Sequence, residues 1–129
     1  MSKTVFMIDD NEDDLLFTQI IFNRYAPDVA LQQFTSAQAA LSFFERSELS
    51  ASALVLLDIN MPGMGGFDFL DAYEQLPVAK RAAVVVVMLT SSADERDRQR
   101  ALRYASVKAF SSKPLDRQSV ADLLNFIPG

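Results

Sequence analysis

The sequence predicts an α/β domain built on a parallel β-sheet. Apolar runs rich in β-branched residues alternate with segments of helical periodicity, which is typical of successive βα units. Three of the runs are apolar almost throughout, as strands buried on both faces of a parallel sheet must be. A length of 129 residues suits one domain, so we expect residues 1–129 to form a single domain.

The first half of the chain contains three predicted strands and two predicted helices. Asp13 and Asp14 fall in the first turn of the first helix, where negative charge suits the helix dipole. The segment Thr35-Ser36-Ala37-Gln38 resembles a capping box that opens the second helix. The predicted strands of this half are Thr4–Ile8, Val29–Phe34 and Ala53–Leu57.

The second half continues the alternation with strands predicted at Ala83–Leu89 and Val107–Ser111. A short third helix is predicted from about Phe67 to Gln75, ending before Pro77 because the residue preceding a proline disfavours helix. The segment Ser92-Ala93-Asp94-Glu95 predicts a capping box for the fourth helix. Asp116 predicts the cap of the fifth, whose apolar stripe is Val120, Leu123, Leu124 and Ile127.

Composition excludes several classes of function. The formal net charge of −5 opposes binding to nucleic acid or to an anionic membrane, and we expect neither as a direct partner. The absence of cysteine excludes disulfides and thiolate sites and is compatible with the cytoplasmic location we expect. The absence of histidine removes the commonest general base, any Ser-His pair and any role as a phosphohistidine carrier.

Chemically active side chains come directly after four of the five predicted strands. Asp9 and Asp10 follow the first strand, Asp58 the third, Thr90 the fourth and Lys113 the fifth. Ligands of open α/β sheets bind outside the carboxyl ends of the strands, so these groups are expected to converge. Carboxylates brought this close repel unless a cation lies among them, and Mg²⁺ is the expected cofactor.

This set of groups is suited to phosphoryl transfer. An ionised Asp58 could attack phosphorus in line, and Mg²⁺ held by Asp10 and Asp58 would neutralise charge on the transferring oxygens. Lys113 would offset a further oxygen, and the Thr90 hydroxyl would donate a hydrogen bond. Positioning and electrostatics carry most of this catalysis, so a histidine base is not needed.

The ordered motifs resemble the signature of response-regulator receiver domains. They are Asp9-Asp10, Asp58-Ile59-Asn60-Met61-Pro62-Gly63, Thr90 and Lys113-Pro114, spread over the whole chain. The resemblance implies a doubly wound, flavodoxin-like (βα)5 fold with strand order 2-1-3-4-5. It also implies that Asp58 is phosphorylated by a sensor histidine kinase or a histidine phosphotransfer protein.

The resemblance implies further roles for individual residues. Asp10, Asp58 and the Asn60 carbonyl would bind Mg²⁺, with Asp9 acting mainly through water. Thr90 and Phe110 would form the switch, and the Lys113-Pro114 bond would be cis. One departure is Tyr104-Ala105-Ser106 before the last strand, where the family usually has a Gly-Ala pair. A second is Ser91-Ser92 after Thr90, where the first residue is often small and apolar.

We therefore expect a stand-alone receiver that acts as a phosphoacceptor switch in two-component signalling or a phosphorelay, and not as a turnover enzyme. Its output would be contact with a downstream protein, whose identity the sequence does not give, through the helix after Ser92, the last strand and the last helix. The arginines of that helix are interspersed with acids, and a solvated face is favoured there over docking. The protein would be a monomer or a weak, phosphorylation-dependent dimer.

Other interpretations remain open at this level. Taken singly, Asp9 and Asp10 could end a strand in solvent, Asn60 could only form a turn, and Phe110 could be an ordinary strand aromatic. A phosphohydrolase resembling the haloacid-dehalogenase group would need an aspartate where Asn60 stands. A flavodoxin-like cofactor binder would meet repulsion between phosphate and the acidic segment 9–14. A receiver that signals without phosphate is the fourth alternative.

Overall fold

The computed structural model describes residues 3–47, 52–91 and 94–127. Strands and helices alternate along the chain, as the sequence predicts, with one additional short helix. In chain order the elements are β1 Thr4–Ile8, α1 Glu12–Tyr25, β2 Ala30–Phe34, α2 Ala37–Arg46, β3 Ala53–Asp58, α3 Gly66–Tyr73, α4 Val78–Arg81, β4 Val84–Thr90, α5 Glu95–Ala101, β5 Val107–Ser112 and α6 Arg117–Asn125.

The five strands form one parallel sheet in the order β2-β1-β3-β4-β5. The expected doubly wound fold and strand order are therefore confirmed. Every residue of β3 and β4 is buried, which explains why their sequences are almost wholly apolar. Strand β2 lies at an edge and exposes Ala30, Gln32 and Gln33, so it carries no continuous apolar run.

The two faces of the sheet are covered by different helices and different side chains. Helices α1 and α6 cover an aliphatic-rich core that contains Leu15, Phe22 and Leu123. Helices α2, α3 and α5 cover the other face, where Phe6, Phe44, Phe69 and Tyr73 are buried in a network of ring contacts. Edge-to-face and offset aromatic pairs of this kind add to the stabilisation from burial. Both faces being covered leaves the strand ends as the accessible part of the sheet.

Most predicted elements occur with ends shifted by one or two residues. Helix α2 begins one residue later than the predicted capping box implies, because Ser36, rather than Thr35, caps it by accepting from the Ala39 N–H at 3.1 Å. Both residues have a side-chain oxygen suited to this role, so the sequence left the choice open. The predicted cap at Asp116 is confirmed, since its carboxylate accepts from the Ser119 N–H at 2.8 Å.

The region around α3 and α5 differs most from the prediction, because it contains an additional helix. Helix α3 ends at Tyr73 rather than near Gln75, and a four-residue helix, α4, follows Pro77. Helix α5 begins at Glu95, and Asp94 caps it by accepting from the Arg96 N–H at 2.8 Å. The other members of the predicted capping box, Ser92 and Ala93, lie outside the described residues.

Among the residues the structure describes, no helix is both long and apolar enough to cross a membrane.

Candidate functional site

The carboxyl edge of the sheet brings the predicted site residues to one place. Strands β1, β3 and β4 pair in register, so Ile8 lies opposite Leu57 and Asp58 lies opposite Leu89. Residues that end neighbouring strands therefore meet at one edge, as the sequence predicts. Asp9, Asp58 and Thr90 are buried there, whereas Asp10 is exposed at the start of the following loop.

Three carboxylates form a group able to bind a metal ion. Asp9, Asp10 and Asp58 each offer an oxygen, and these oxygens all lie within 4.8 Å of one another. Hard carboxylate oxygens this close together suit Mg²⁺, which binds directly to one or two of them and keeps several waters. The residues present thus fit the expected cofactor.

The pKa of Asp58 reflects this crowding. Burial, the charge of Asp9 and, to a smaller extent, the charge of Asp10 raise the pKa of Asp58 from 3.8 to about 6. Lys113 acts in the opposite direction by charge and by a hydrogen bond. At neutral pH the carboxylate is mostly ionised, and a bound divalent cation would favour the ionised form still more.

Lys113 is the cation that the chain itself supplies to the edge. Its Nζ donates to Asp9 Oδ2 at 2.6 Å, to Asp14 Oδ2 at 3.0 Å and to Asp58 Oδ1 at 3.1 Å. Burial alone would lower the pKa of Lys113, but its hydrogen bonds to Asp9 and Asp14 and the charge of Asp58 outweigh this and raise that pKa. The lysine is therefore held protonated within reach of the carboxylates.

Asp14 is a site residue that the sequence interpretation missed. Its acidic position in the first turn of α1 was explained fully by the helix dipole. The contact with Lys113 joins residues that are 99 positions apart in the chain, so no local sequence pattern predicts it.

The remaining predicted residues occupy compatible positions. Asn60 is exposed in the loop after β3, and Phe110 is half-buried on β5 against the aromatic-rich core. The Thr90 carbonyl accepts from the Lys113 backbone N–H at 2.8 Å, which ties the ends of β4 and β5 together. The Lys113-Pro114 peptide bond is cis, as the resemblance implies. The roles of Asn60, Thr90 and Phe110 in binding and switching stay predictions.

The start of α3 packs directly against the strand that carries Asp58. The Gly66 N–H donates to the Ile59 carbonyl at 2.9 Å. A Cβ atom added at Gly66 would lie 2.6 Å from the Asp58 carbonyl oxygen and 3.0 Å from the Ile59 Cα. Glycine is required by this close approach, which fixes the loop between Asp58 and α3.

Comparisons with known proteins agree with this geometry. The sequence profile of the response regulator receiver domain matches residues 5–125. The chain belongs to this family. Receiver domains are phosphoacceptor modules of two-component signalling, and the acidic group and lysine described above form the receiver's pocket. Membership also decides against the haloacid-dehalogenase and flavodoxin hypotheses.

One relative, a response regulator, agrees with the family match. Over 115 residues the receiver domain is 30% identical to the cyclic di-GMP phosphodiesterase response regulator RpfG of Xanthomonas campestris pv. campestris. The match covers 89% of this chain, but the chain spans only 29% of that relative's length.

Two crystal structures match over nearly their whole length. The response regulator receiver protein of Dyadobacter fermentans is 27% identical, with a TM-score of 0.86 over 95% of both chains. A two-component response regulator of Cytophaga hutchinsonii is 28% identical, with a TM-score of 0.84 over 95% of this chain and 94% of the other. The fold thus agrees with that of a receiver domain.

Proposed function

We propose that this receiver domain accepts a phosphoryl group on Asp58 from a sensor histidine kinase or a histidine phosphotransfer protein, and thereby switches a protein-binding surface. The observation that carries the proposal is the position of Asp58. It is a buried carboxylate that shares a metal-binding group with Asp9 and Asp10 and is hydrogen bonded to Lys113. The domain in this proposal comprises residues 1–129 and acts as a switch.

The chemistry of the proposed step follows from the side chains present. An Asp58 carboxylate oxygen forms a bond to phosphorus while the bond between phosphorus and the donor's imidazole nitrogen breaks. The imidazole leaves with the electron pair and takes up a proton. Lys113 and the Thr90 hydroxyl stabilise oxygens of the transferring group. Mg²⁺ bound by Asp9, Asp10, Asp58 and the Asn60 carbonyl would neutralise negative charge at the same place.

The surface beside the site supports a protein as the donor. On α1 the side chains of Leu16, Phe17 and Ile20 are exposed, by 55%, 42% and 53% respectively. Phe17 also lines a groove of about 380 Å³ together with Thr18, Pro114, Leu115, Asp14, Ser91 and Lys113. Adjacent exposed apolar side chains on a soluble domain mark interaction sites. A partner packed on this stripe would bring its phosphorylated histidine to Lys113 and Asp58.

The output of the proposed switch lies at the edge of the sheet that β5 forms. Phosphorylation would move Thr90 and Phe110, and because Phe110 is half-buried, an inward movement would bury more of its ring. The surface formed by α5, β5 and α6 would then shift between two populations. We propose that this cytoplasmic domain contacts a downstream protein through that surface, as a monomer or as a weak, phosphorylation-dependent dimer.

Intact-mass measurement after incubation with acetyl phosphate and Mg²⁺ tests the proposal. We expect one added phosphoryl group in the wild-type protein, none without Mg²⁺ and none in Asp58→Asn. Asp68→Asn, an exposed aspartate ten residues along the chain, is the matched control and should be phosphorylated like the wild type. If Mg²⁺ binds but neither acetyl phosphate nor a set of histidine kinases adds mass, the proposal is overturned in favour of a receiver that acts without phosphate.

A further inference from the structure

Asp14 belongs to a closed ring of hydrogen bonds around the acidic edge. The Asn11 N–H donates to Asp9 Oδ1 at 3.0 Å, and the Asp14 N–H donates to Asn11 Oδ1 at 3.1 Å. Lys113 Nζ then joins Asp14 Oδ2 at 3.0 Å to Asp9 Oδ2 at 2.6 Å, which closes the ring. The start of α1 is thereby fixed with the Asp14 carboxylate facing the lysine.

The ring leaves Lys113 with no spare donor. An ammonium group has three N–H bonds, and the three contacts, to Asp9, Asp14 and Asp58, engage all of them. A phosphoryl oxygen that binds Lys113 must therefore take the place of one acceptor or share its proton. Asp9 is buried, whereas Asp14 is more accessible, with 41% of its side chain exposed.

We propose that Asp14 is a positioning residue for phosphoryl transfer, which holds Lys113 on the groove side and competes with the incoming phosphoryl group for the ammonium. This inference rests on the proposed function of Asp58. Asp14 lines the groove next to Lys113, so its negative charge also repels any anionic phosphodonor that enters the groove. Both effects slow phosphorylation, and removing the charge of Asp14 should accelerate it.

The test compares Asp14→Asn with Asp13→Asn. Asparagine keeps the shape and the acceptor oxygen of Asp14 but removes its charge. Asp13 is one residue away on the same helical turn, is exposed, and is not among the ion-pair partners of Lys113 in the described part of the chain. Both substitutions remove one favourable negative charge from the first turn of α1. A difference between the phosphorylation rates of the two variants therefore reports on the contact with Lys113.

We expect Asp14→Asn to raise the maximal rate of phosphorylation by acetyl phosphate about threefold at saturating Mg²⁺, the scale of a partly exposed ion pair. Asp13→Asn should alter only the apparent affinity for the donor, and added salt should abolish that change. Asp14→Glu restores the charge and should return the maximal rate to the wild-type value. An unchanged or lowered maximal rate in Asp14→Asn would overturn the proposal.

A second readout does not depend on phosphorylation. In proton–nitrogen spectra, exchange of the Lys113 ammonium protons with water should speed up in Asp14→Asn and stay unchanged in Asp13→Asn. If exchange speeds up but the wild type accepts no phosphoryl group, the contact exists and the proposed function of Asp58 is wrong. If exchange does not change, the charge of Asp14 does not hold Lys113, and the proposal is wrong whatever happens at Asp58.

Discussion

The two ends of β5 are held by carboxylates in opposite ways. At the carboxyl end, the single ammonium of Lys113 is shared by Asp9, Asp14 and Asp58. At the amino end, the single carboxylate of Glu74 accepts from the Ala105 N–H at 3.3 Å, from the Ser106 N–H at 2.9 Å and from the Ser106 hydroxyl. One end therefore has more anions than cations, and the other has one anion surrounded by neutral donors.

The two ends of β5 differ in how their carboxylates affect the stability of the fold. Glu74 accepts from two backbone N–H groups, and none of the groups that donate to it in the described part of the chain is an anion. Asp58 is desolvated next to other carboxylates, and its raised pKa shows that ionising it is unfavourable there. Replacing a carboxylate by its amide should thus change stability in opposite directions at the two ends.

The largest expected effect comes from removing the cation. Lys113→Met leaves Asp9 and Asp58 largely buried without their shared partner, and breaking a buried ion pair from one side costs about 3 kcal/mol. We expect urea denaturation at pH 7 without divalent ions to show this loss, and Mg²⁺ to reverse part of it. Lys108→Met, at an exposed position of the same strand, is the control and should change little.

A smaller effect of opposite sign is expected from Asp58→Asn. Because the folded-state pKa of about 6 lies above the ordinary 3.8, the stability that Asp58 contributes is present below about pH 4 and lost as pH rises through 6. At pH 8 without Mg²⁺ the variant should exceed the wild type by about 2 kcal/mol, and at pH 4 the two should converge. Equal stabilities at both pH values would contradict the crowding described for this end.

The smallest effect is expected at the amino end. Glu74→Gln keeps the size of the side chain but leaves one acceptor oxygen for three donors, so it should lower the free energy of unfolding by about 1.5 kcal/mol. Glu45→Gln, at an exposed position on α2, is the control. A variant as stable as the wild type would show that water replaces Glu74 at Ala105 and Ser106, and the contrast between the two ends would disappear.

Much of the fold could be predicted from the sequence because the sheet is parallel and buried. The apolar runs of β1, β3 and β4 admit few other structures, and their predicted ends differ from the observed ones by at most one residue. Helix α4 was not predicted, since it is four residues long, begins after Pro77 and has no buried side chain to create a pattern. Short surface helices leave no periodicity to detect.

The residues of the site also fall into those that the sequence could predict and those that it could not. Residues that directly follow the strands, such as Asp9, Asp58 and Lys113, could be predicted because register alone brings strand ends together. The contacts of Asp14 with Lys113 and of Glu74 with Ser106 could not, since each depends on how a helix side chain is directed at a distant part of the chain. Ser106 belongs to a segment that departs from the family pattern, and in the structure it donates to Glu74.

The order of strands in the sheet has a consequence for how the chain folds while it is being synthesised. Strand β1 is made first and lies between β2 and β3, and β4 and β5 then add outward on one side. Lys113 is the last residue of the acidic edge to leave the ribosome. Until it arrives, Asp9 and Asp58 lack the cation that contacts them in the described part of the chain, so Mg²⁺ from the surrounding solution should stabilise the acidic edge of nascent chains that have reached β4.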